Sequence, residues 1–175
     1  MLIRPECPED FAEINHVVAA AFRSPLEARL VEAIRASPQY LPELALVAEV
    51  DGAVAGHVMI SRTALRDGEQ WHDIVHLSPL AVAPEAQGRG IGSALVREVT
   101  ERADREGLAL VALEGDPRYY SRFGFEHSVK YGIHINLPSW APPEAAQVLR
   151  LTHYDATIRG TVVYPPAFDT LEERH

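Results

Sequence analysis

The sequence predicts a mixed α/β fold: one central sheet in which an antiparallel meander leads into a parallel βαβ unit, with helices on both faces. Three observations carry that expectation. Apolar runs are joined at Asp51-Gly52, a strong two-residue hairpin signal, and at Asp67-Gly68, so strands return on their neighbours. An apolar run ending near residue 82 is followed by a glycine-rich turn, a long amphipathic helix and a second apolar run at 108–113. Strand, crossover helix and strand in that order imply a parallel pair with a right-handed connection. Two amphipathic helical segments precede all of this, so helices are available for both faces of the sheet.

In chain order, residues 2–4 form a short strand candidate. Pro8 suits the first turn of a helix, with Glu9 and Asp10 favourable at its positive end. Phe11, Ile14, Val17 or Val18 and Ala21 then recur at helical spacing. Ser24-Pro25-Leu26-Glu27 is a capping box with proline at the first helical position, and Leu26, Leu30, Val31 and Ile34 give the second helix its apolar face before Pro38 ends it. Strands are expected at 44–50, 53–65 and 74–82. Pro79 cannot donate to a ladder, so it marks an edge, a bulge or a break where splayed strands would open a slot. In the next helix Ile91, Leu95, Val99 and Ala103 form the buried stripe, while Glu98 with Arg102 and Glu101 with Arg105 form a solvated face. Gly107 ends it. Asp116 and Pro117 fit the cap and first position of a helix of under two turns that Gly124 stops. Strands follow at 126–135, 147–154 and 160–164, with a proline loop carrying Trp140 at 137–143 and a short tail opened by Pro165-Pro166.

A chain of 175 residues suits a single domain over 1–175. A formal charge of −9 argues against nucleic-acid binding, which needs a basic face, and is compatible with a cationic amine. One cysteine, Cys7, cannot form an internal disulfide, and the start has no apolar signal region, so a cytoplasmic protein with no membrane partner is expected. The scattered histidines His57, His72, His134 and His153 lack the spacing that metals require, so no metal is expected.

The chemistry concentrates at residues 87–93. A helix start leaves backbone N–H groups without partners and carries a positive dipole end. Gly88, Gly90 and Gly92 let a ligand reach those groups, and Arg89 adds a planar cationic donor; together they make a cradle for a diphosphate. The bland alternative is a tight turn with no ligand. Neither named phosphate loop fits: there is no Gly-Lys-Ser/Thr, and Ser93 stands where the third glycine of G-x-G-x-x-G belongs. What remains is Gln-x-x-Gly-x-Gly, from Gln87, Gly90 and Gly92, directly after Leu80-Ala81-Val82 and Pro84. With Tyr-x-x-x-Gly-Phe at 120–125, it resembles the GNAT acetyltransferase superfamily. The GDPRYYSRFGF run and the GTVVYPPAF tail are most similar to its YhbS-like branch.

That resemblance implies an N-acetyltransferase moving an acetyl group from acetyl-CoA to an amine by direct attack in a ternary complex, the acceptor being a small molecule or a protein. It implies cofactor contacts from Leu80, Ala81 and Val82 to the pantetheine arm and from Gln87, Gly88, Arg89, Gly90, Ile91, Gly92 and Ser93 to the pyrophosphate, with Tyr120 as the acid facing the sulfur. A backbone N–H near Val82 would polarise the carbonyl. For the base, Glu114 at the C-terminal end of a central strand is best placed, with Asp116, His76 and Ser78 as rivals and proton loss to water as a further route. Each of the four also has an ordinary structural use, capping in the case of Asp116. Trp140 either lines an acceptor pocket or lies as a lid over the core. A non-catalytic acyl-CoA-binding module is the alternative reading, and the C-terminal strands offer an edge for a homodimer.

Overall fold

The computed structural model describes residues 1–174, which fall into two compact units. The first comprises residues 1–61, 78–102 and the segment from Pro165 on; the second comprises residues 62–77 and 103–164. Strands β3 (Ala53–Asp67) and β4 (Gln70–Val82) and helix α3 (Ile91–Arg105) pass through both.

In the first unit, β1 (Leu2–Pro5) pairs antiparallel with β2 (Ala45–Val50), and β2 pairs antiparallel with the start of β3. Asp51 and Gly52 sit at φ 51° and 79°, the two left-handed positions that a tight hairpin needs and that Asp-Gly supplies most readily. Helix α1 (Phe11–Phe22) buries Ile14, Val17 and Val18, and α2 (Leu26–Arg35) buries Leu30, Val31 and Ile34. Ser24 Oγ accepts from Leu26 N at 3.2 Å, but the expected capping box does not close: Pro25 stands at the N-cap and Ser24 N donates to Ala19 O at 3.2 Å. Three of the four expected face residues are thus buried; Leu26 is only half-buried, and Glu27 beside it is buried. Arg35 donates to the Glu6 carboxylate at 2.8 Å through both Nε and Nη2, and His57 Nε2 and Tyr40 Oη approach it at 2.9 and 2.8 Å. Burial alone would raise the Glu6 pKa, but these bonds overrule it and hold the carboxyl down at about 2. The network clips α2 to β3.

Every residue from 54 to 61 on β3 is buried, as in a strand covered on both faces. Gly56 lies in the middle of that run. A Cβ there would come within 2.9 Å of Leu95 Cδ1, 3.1 Å of Ile91 Cγ2 and 3.2 Å of the Ala81 carbonyl oxygen. The first turns of α3 therefore lie directly on the strands, and only glycine leaves room for them.

In the second unit, the first half of β4 runs parallel to β5 (Leu110–Glu114), as the strand–helix–strand order requires. That parallel register is confined to Val75↔Val111 and His76↔Ala112, two residues short of Ser78. β5 pairs antiparallel along its whole length with β8 (Ala146–Arg150), and β6 (Glu126–His127) adds to β8. β9 (Gly160–Val163) pairs antiparallel with the far half of β3 and parallel with β7 (Ile133–His134). Leu65, Ile74, Leu110, Ile133, Val148 and Val162 are core members of this unit. The sheet is thus mixed, antiparallel apart from the β4–β5 and β7–β9 pairs.

Two expected strands are shorter than the sequence suggests. The run expected at 126–135 breaks after His127 into a 3₁₀ turn at Ser128–Tyr131, with Gly132 at φ 69° before the chain extends again. A glycine inside an apolar run was a reversal here. The strand expected at 147–154 stops at Arg150, because Thr152 leaves the ladder to bond Asp104, N to Oδ1 and Oγ1 to Oδ2, each at 2.9 Å. The tail from Pro166 is a 3₁₀ segment against α2.

Replacing Gly56 by Ala is expected to lower the unfolding free energy by about 1–3 kcal/mol, the usual cost of overpacking. Denaturant titration checks it; an unchanged midpoint would show that α3 yields without strain.

Candidate active site

In the first unit, the chain leaves β4 at Val82, makes a 3₁₀ turn over Pro84–Ala86 and enters α3 at Ile91. Residues 87–90 are exposed, whereas Ile91 is buried beneath them. Gly88 and Gly90 have φ of 78° and 82°, and a Cβ on either would meet no atom within 4 Å. It is the left-handed backbone that demands glycine at both, and the open space above leaves the amides accessible. The first intrahelical bond runs from Ala94 N to Gly90 O, so the N–H groups of Ile91 and Gly92 precede the bonded turns and point out of the helix start. The loop is braced from below: Gln87 Nε2 donates to Val82 O at 3.1 Å. Gln87 is thus a tie within the loop, and its amide is spent on the backbone. Arg89 is exposed at the loop tip. A cavity of about 380 Å³ adjoins the loop, lined by Ala55, Ala83, Glu85, Arg89 and Ile91 among others.

The end of β4 also has a defined polarity. Ala83 N donates to Ala55 O at 2.8 Å, so Ala83 turns its polar groups toward β3. Adjacent residues of an antiparallel ladder alternate, so the N–H and C=O of Val82 point to the opposite edge. A strand edge carrying an outward N–H at Val82 can hold an extended amide-bearing chain or polarise a carbonyl.

In the second unit, Asp116 caps the short helix α4 (Pro117–Tyr120), accepting from Arg118 N at 2.9 Å, and Gly124 at φ 92° ends the turn that follows. Arg118 adds its guanidinium to the same carboxylate at 3.3 Å. Asp116 is thereby committed to the cap. Tyr120 stands edge-on to Tyr119 and Phe125, with ring centroids 4.9 and 5.7 Å away. The ring rests on Gly115, where any Cβ would strike its edge. Among the described residues no group hydrogen-bonds the Tyr120 hydroxyl. Burial, aided by Tyr119, raises its pKa well above the phenol range, so it stays a proton donor.

Glu114 ends β5. Protein surrounds its carboxyl closely while one side stays open to solvent, and burial pushes its pKa above the ordinary carboxylate range against a bond from Tyr164. Tyr164 Oη donates to Glu114 Oε1 at 3.0 Å and lies 3.3 Å from His76 Nε2. His76 is buried, and that burial pulls its pKa down to about 3. Two sequence candidates, Glu114 and His76, are therefore joined through a residue that sequence reasoning passed over. Tyr164 carried one signal, a tyrosine before Pro165 at the end of a strand, where proline restricts it to extended backbone. Gly115 was also missed, its need being visible only once Tyr120 is in place.

The remaining candidates divide as follows. Leu80, Ala81, Val82, Gln87, Gly88, Arg89, Gly90, Ile91, Gly92, Ser93 and the rival base Ser78 all belong to the first unit. Ser78 is half-buried before Pro79. Trp140 is 77% exposed, so it is not a lid over the core. Among the described residues no cluster of His, Cys, Asp and Glu could hold a metal ion, and no helix is long and apolar enough to cross a membrane.

The chain is similar to several known proteins. Residues 42–127 match the family described as acetyltransferase (GNAT) domain. The chain is 36% identical over 173 residues to the uncharacterized N-acetyltransferase YhbS of Escherichia coli K12, covering 97% of this chain and 99% of that protein. It is 36% identical over 118 residues to the uncharacterized N-acetyltransferase YjhQ of the same strain, covering 67% of this chain but just under two thirds, 65%, of YjhQ. The crystal structure of E. coli YhbS in complex with CoA superposes with a TM-score of 0.85 at 34% identity, covering 96% of this chain and 91% of that one. A GNAT family acetyltransferase from Brucella melitensis in complex with acetyl-CoA superposes with a TM-score of 0.76 at 34% identity, covering 96% and 97%.

Gly115→Ala is expected to dislodge the Tyr120 ring, as a crystal structure of the variant would show; an unmoved ring would mean that the contact does not seat it.

Proposed function

The chain belongs to the GNAT acetyltransferase family, and on that premise we propose how it transfers an acetyl group from acetyl-CoA to a primary amine. The amides at the start of α3 bind the diphosphate of the co-substrate, with Gly88 and Gly90 supplying the left-handed turns and Arg89 a cationic donor. The outward edge of β4 at Leu80, Ala81 and Val82 takes the pantetheine arm, and the Val82 N–H stabilises the oxyanion.

The reaction is a direct attack in a ternary complex. An ammonium gives one proton to Glu114, and the neutral nitrogen adds to the thioester carbonyl carbon. As the intermediate collapses, the nitrogen gives its second proton to solvent, the C–S bond breaks and the Tyr120 hydroxyl protonates the thiolate; the tyrosinate recovers a proton from solvent. The products are an amide, free CoA and the proton lost from the amine. A carboxyl whose pKa is raised by burial is a stronger base than an ordinary one, and a buried phenol is a donor throughout the neutral range.

The observation that carries this reading is the state of Tyr120: a ring locked among aromatic neighbours, with a hydroxyl that no described residue engages. The hydroxyl is not among the buried unpaired polar atoms, so it reaches solvent, where a leaving thiolate can meet it. The acceptor is an amine of small-molecule or protein origin, and the acidic chain suits a cation in the encounter. Cytoplasmic residence fits a chain with one cysteine, Cys7.

Thiol release from acetyl-CoA over a panel of primary amines tests the activity. Tyr120→Phe is expected to lower kcat by about 10²- to 10⁴-fold with the CoA dissociation constant unchanged. Undiminished turnover would remove Tyr120 as the acid, and CoA binding without turnover on any amine would favour a binding module.

A further inference from the structure

We propose that Tyr164, anchored by His76, is the positioning residue of the Glu114 base, its hydroxyl occupying one carboxylate oxygen so that the other is presented to the amine. The inference rests on the assignment of Glu114 above and extends it to two residues bonded in series behind the carboxylate.

The direction of each bond follows from what its members can do. An ionised carboxylate only accepts, so the Tyr164 hydroxyl must spend its single hydrogen on Glu114 Oε1, 3.0 Å away. Only lone pairs then remain on Tyr164 Oη for His76 Nε2 at 3.3 Å, so the histidine must carry its proton on Nε2 to bond there. Burial keeps the imidazole neutral through the whole range in which Glu114 titrates. His76 is therefore a fixed donor, and its ring meets that of Tyr164 edge-on with centroids 5.0 Å apart. The chain of donors runs one way, from His76 to Tyr164 to Glu114 Oε1. Among the described residues Oε2 has no hydrogen-bonding partner.

Both ends of this chain are set by strands. His76 is held on β4 by its register with Ala112, and Glu114 on β5 by its register with Ala146 of β8. Tyr164 directly follows β9, which is paired to β3 through Leu65↔Val162, and Pro165 keeps it extended. The carboxylate is thus aimed by three strands. The other ionisable groups on and next to the surrounding strands include His72 and Asp73 on β4, Arg159 ahead of β9, Asp116 and Arg118 after β5, Glu144 ahead of β8 and Arg150 at its far end. None of them enters the titration of Glu114, which is raised by burial and lowered by Tyr164.

The sign of the effect follows. Glu114 works as a base only when ionised, so kcat falls as pH drops through its pKa in the ternary complex. The Tyr164 bond favours the ionised form; removing it leaves burial unopposed and moves the limb to higher pH. The test is kcat against pH for the full chain, for Tyr164→Phe, for His76→Leu and for Glu114→Gln, with CoA affinity measured alongside. Tyr164→Phe is expected to shift the limb upward by about 1–2 pH units, the size of one hydrogen bond to a charged group, with CoA affinity retained. His76→Leu should shift it the same way by less, and it decides the matter should Tyr164→Phe not fold. A limb unmoved in both variants but abolished by Glu114→Gln would overturn the role of Tyr164 and leave the base in place. A limb that survives Glu114→Gln would overturn the base assignment and this inference with it.

Discussion

The start of α3 can lie where it does only because Gly56 has no side chain. Leu95, Ile91 and the Ala81 carbonyl crowd the space that a Cβ would fill, so helix and strands meet at backbone distance. That contact gives the exposed loop at 87–90 a rigid floor: Ile91 is buried directly beneath it, and Gln87 ties its entrance to Val82. Under the proposed function this loop is a diphosphate cradle of backbone amides with no side chain to adjust, so its strength would depend on amides that are already in position. The glycines of the loop shape the turn, but a different glycine, some thirty residues earlier on β3, fixes its height above the sheet.

Two carboxylates show how the number of donors around an acid sets its chemistry. Glu6 receives bonds from Arg35, His57 and Tyr40, and the donors win over burial, leaving a permanently ionised clip. Glu114 receives one bond, from Tyr164, and burial wins. The first is saturated and too weak a base to take a proton near neutrality, whereas the second keeps an oxygen open and a pKa above the usual range. Glu6 has no oxygen left to react, whereas Glu114 is the more exposed and has one oxygen unbonded among the described residues.

Much of this was legible in residue patterns. Asp51-Gly52, Gly107, Asp116-Pro117 and Gly124 mark their turns by local backbone chemistry, and each turn falls where expected. The glycine turn before α3 and the short helix carrying Tyr120 could be located because their motifs are contiguous. What escaped depended on distance in sequence. Gly56, Gly115 and Tyr164 matter through neighbours brought to them by the fold, and nothing in their immediate sequence says so. Thr152 ended a strand because Asp104, 48 residues earlier, offered a better partner than the ladder did. Gly132 was a local signal that the surrounding apolar residues outweighed.

The most direct measurement is a crystal structure of the chain with acetyl-CoA. The diphosphate should accept hydrogen bonds from the amides of the 88–92 turn, and the thioester sulfur should lie within hydrogen-bonding reach of the Tyr120 hydroxyl. A co-substrate whose diphosphate bypassed those amides, or whose sulfur lay far from Tyr120, would contradict the assignment at its root.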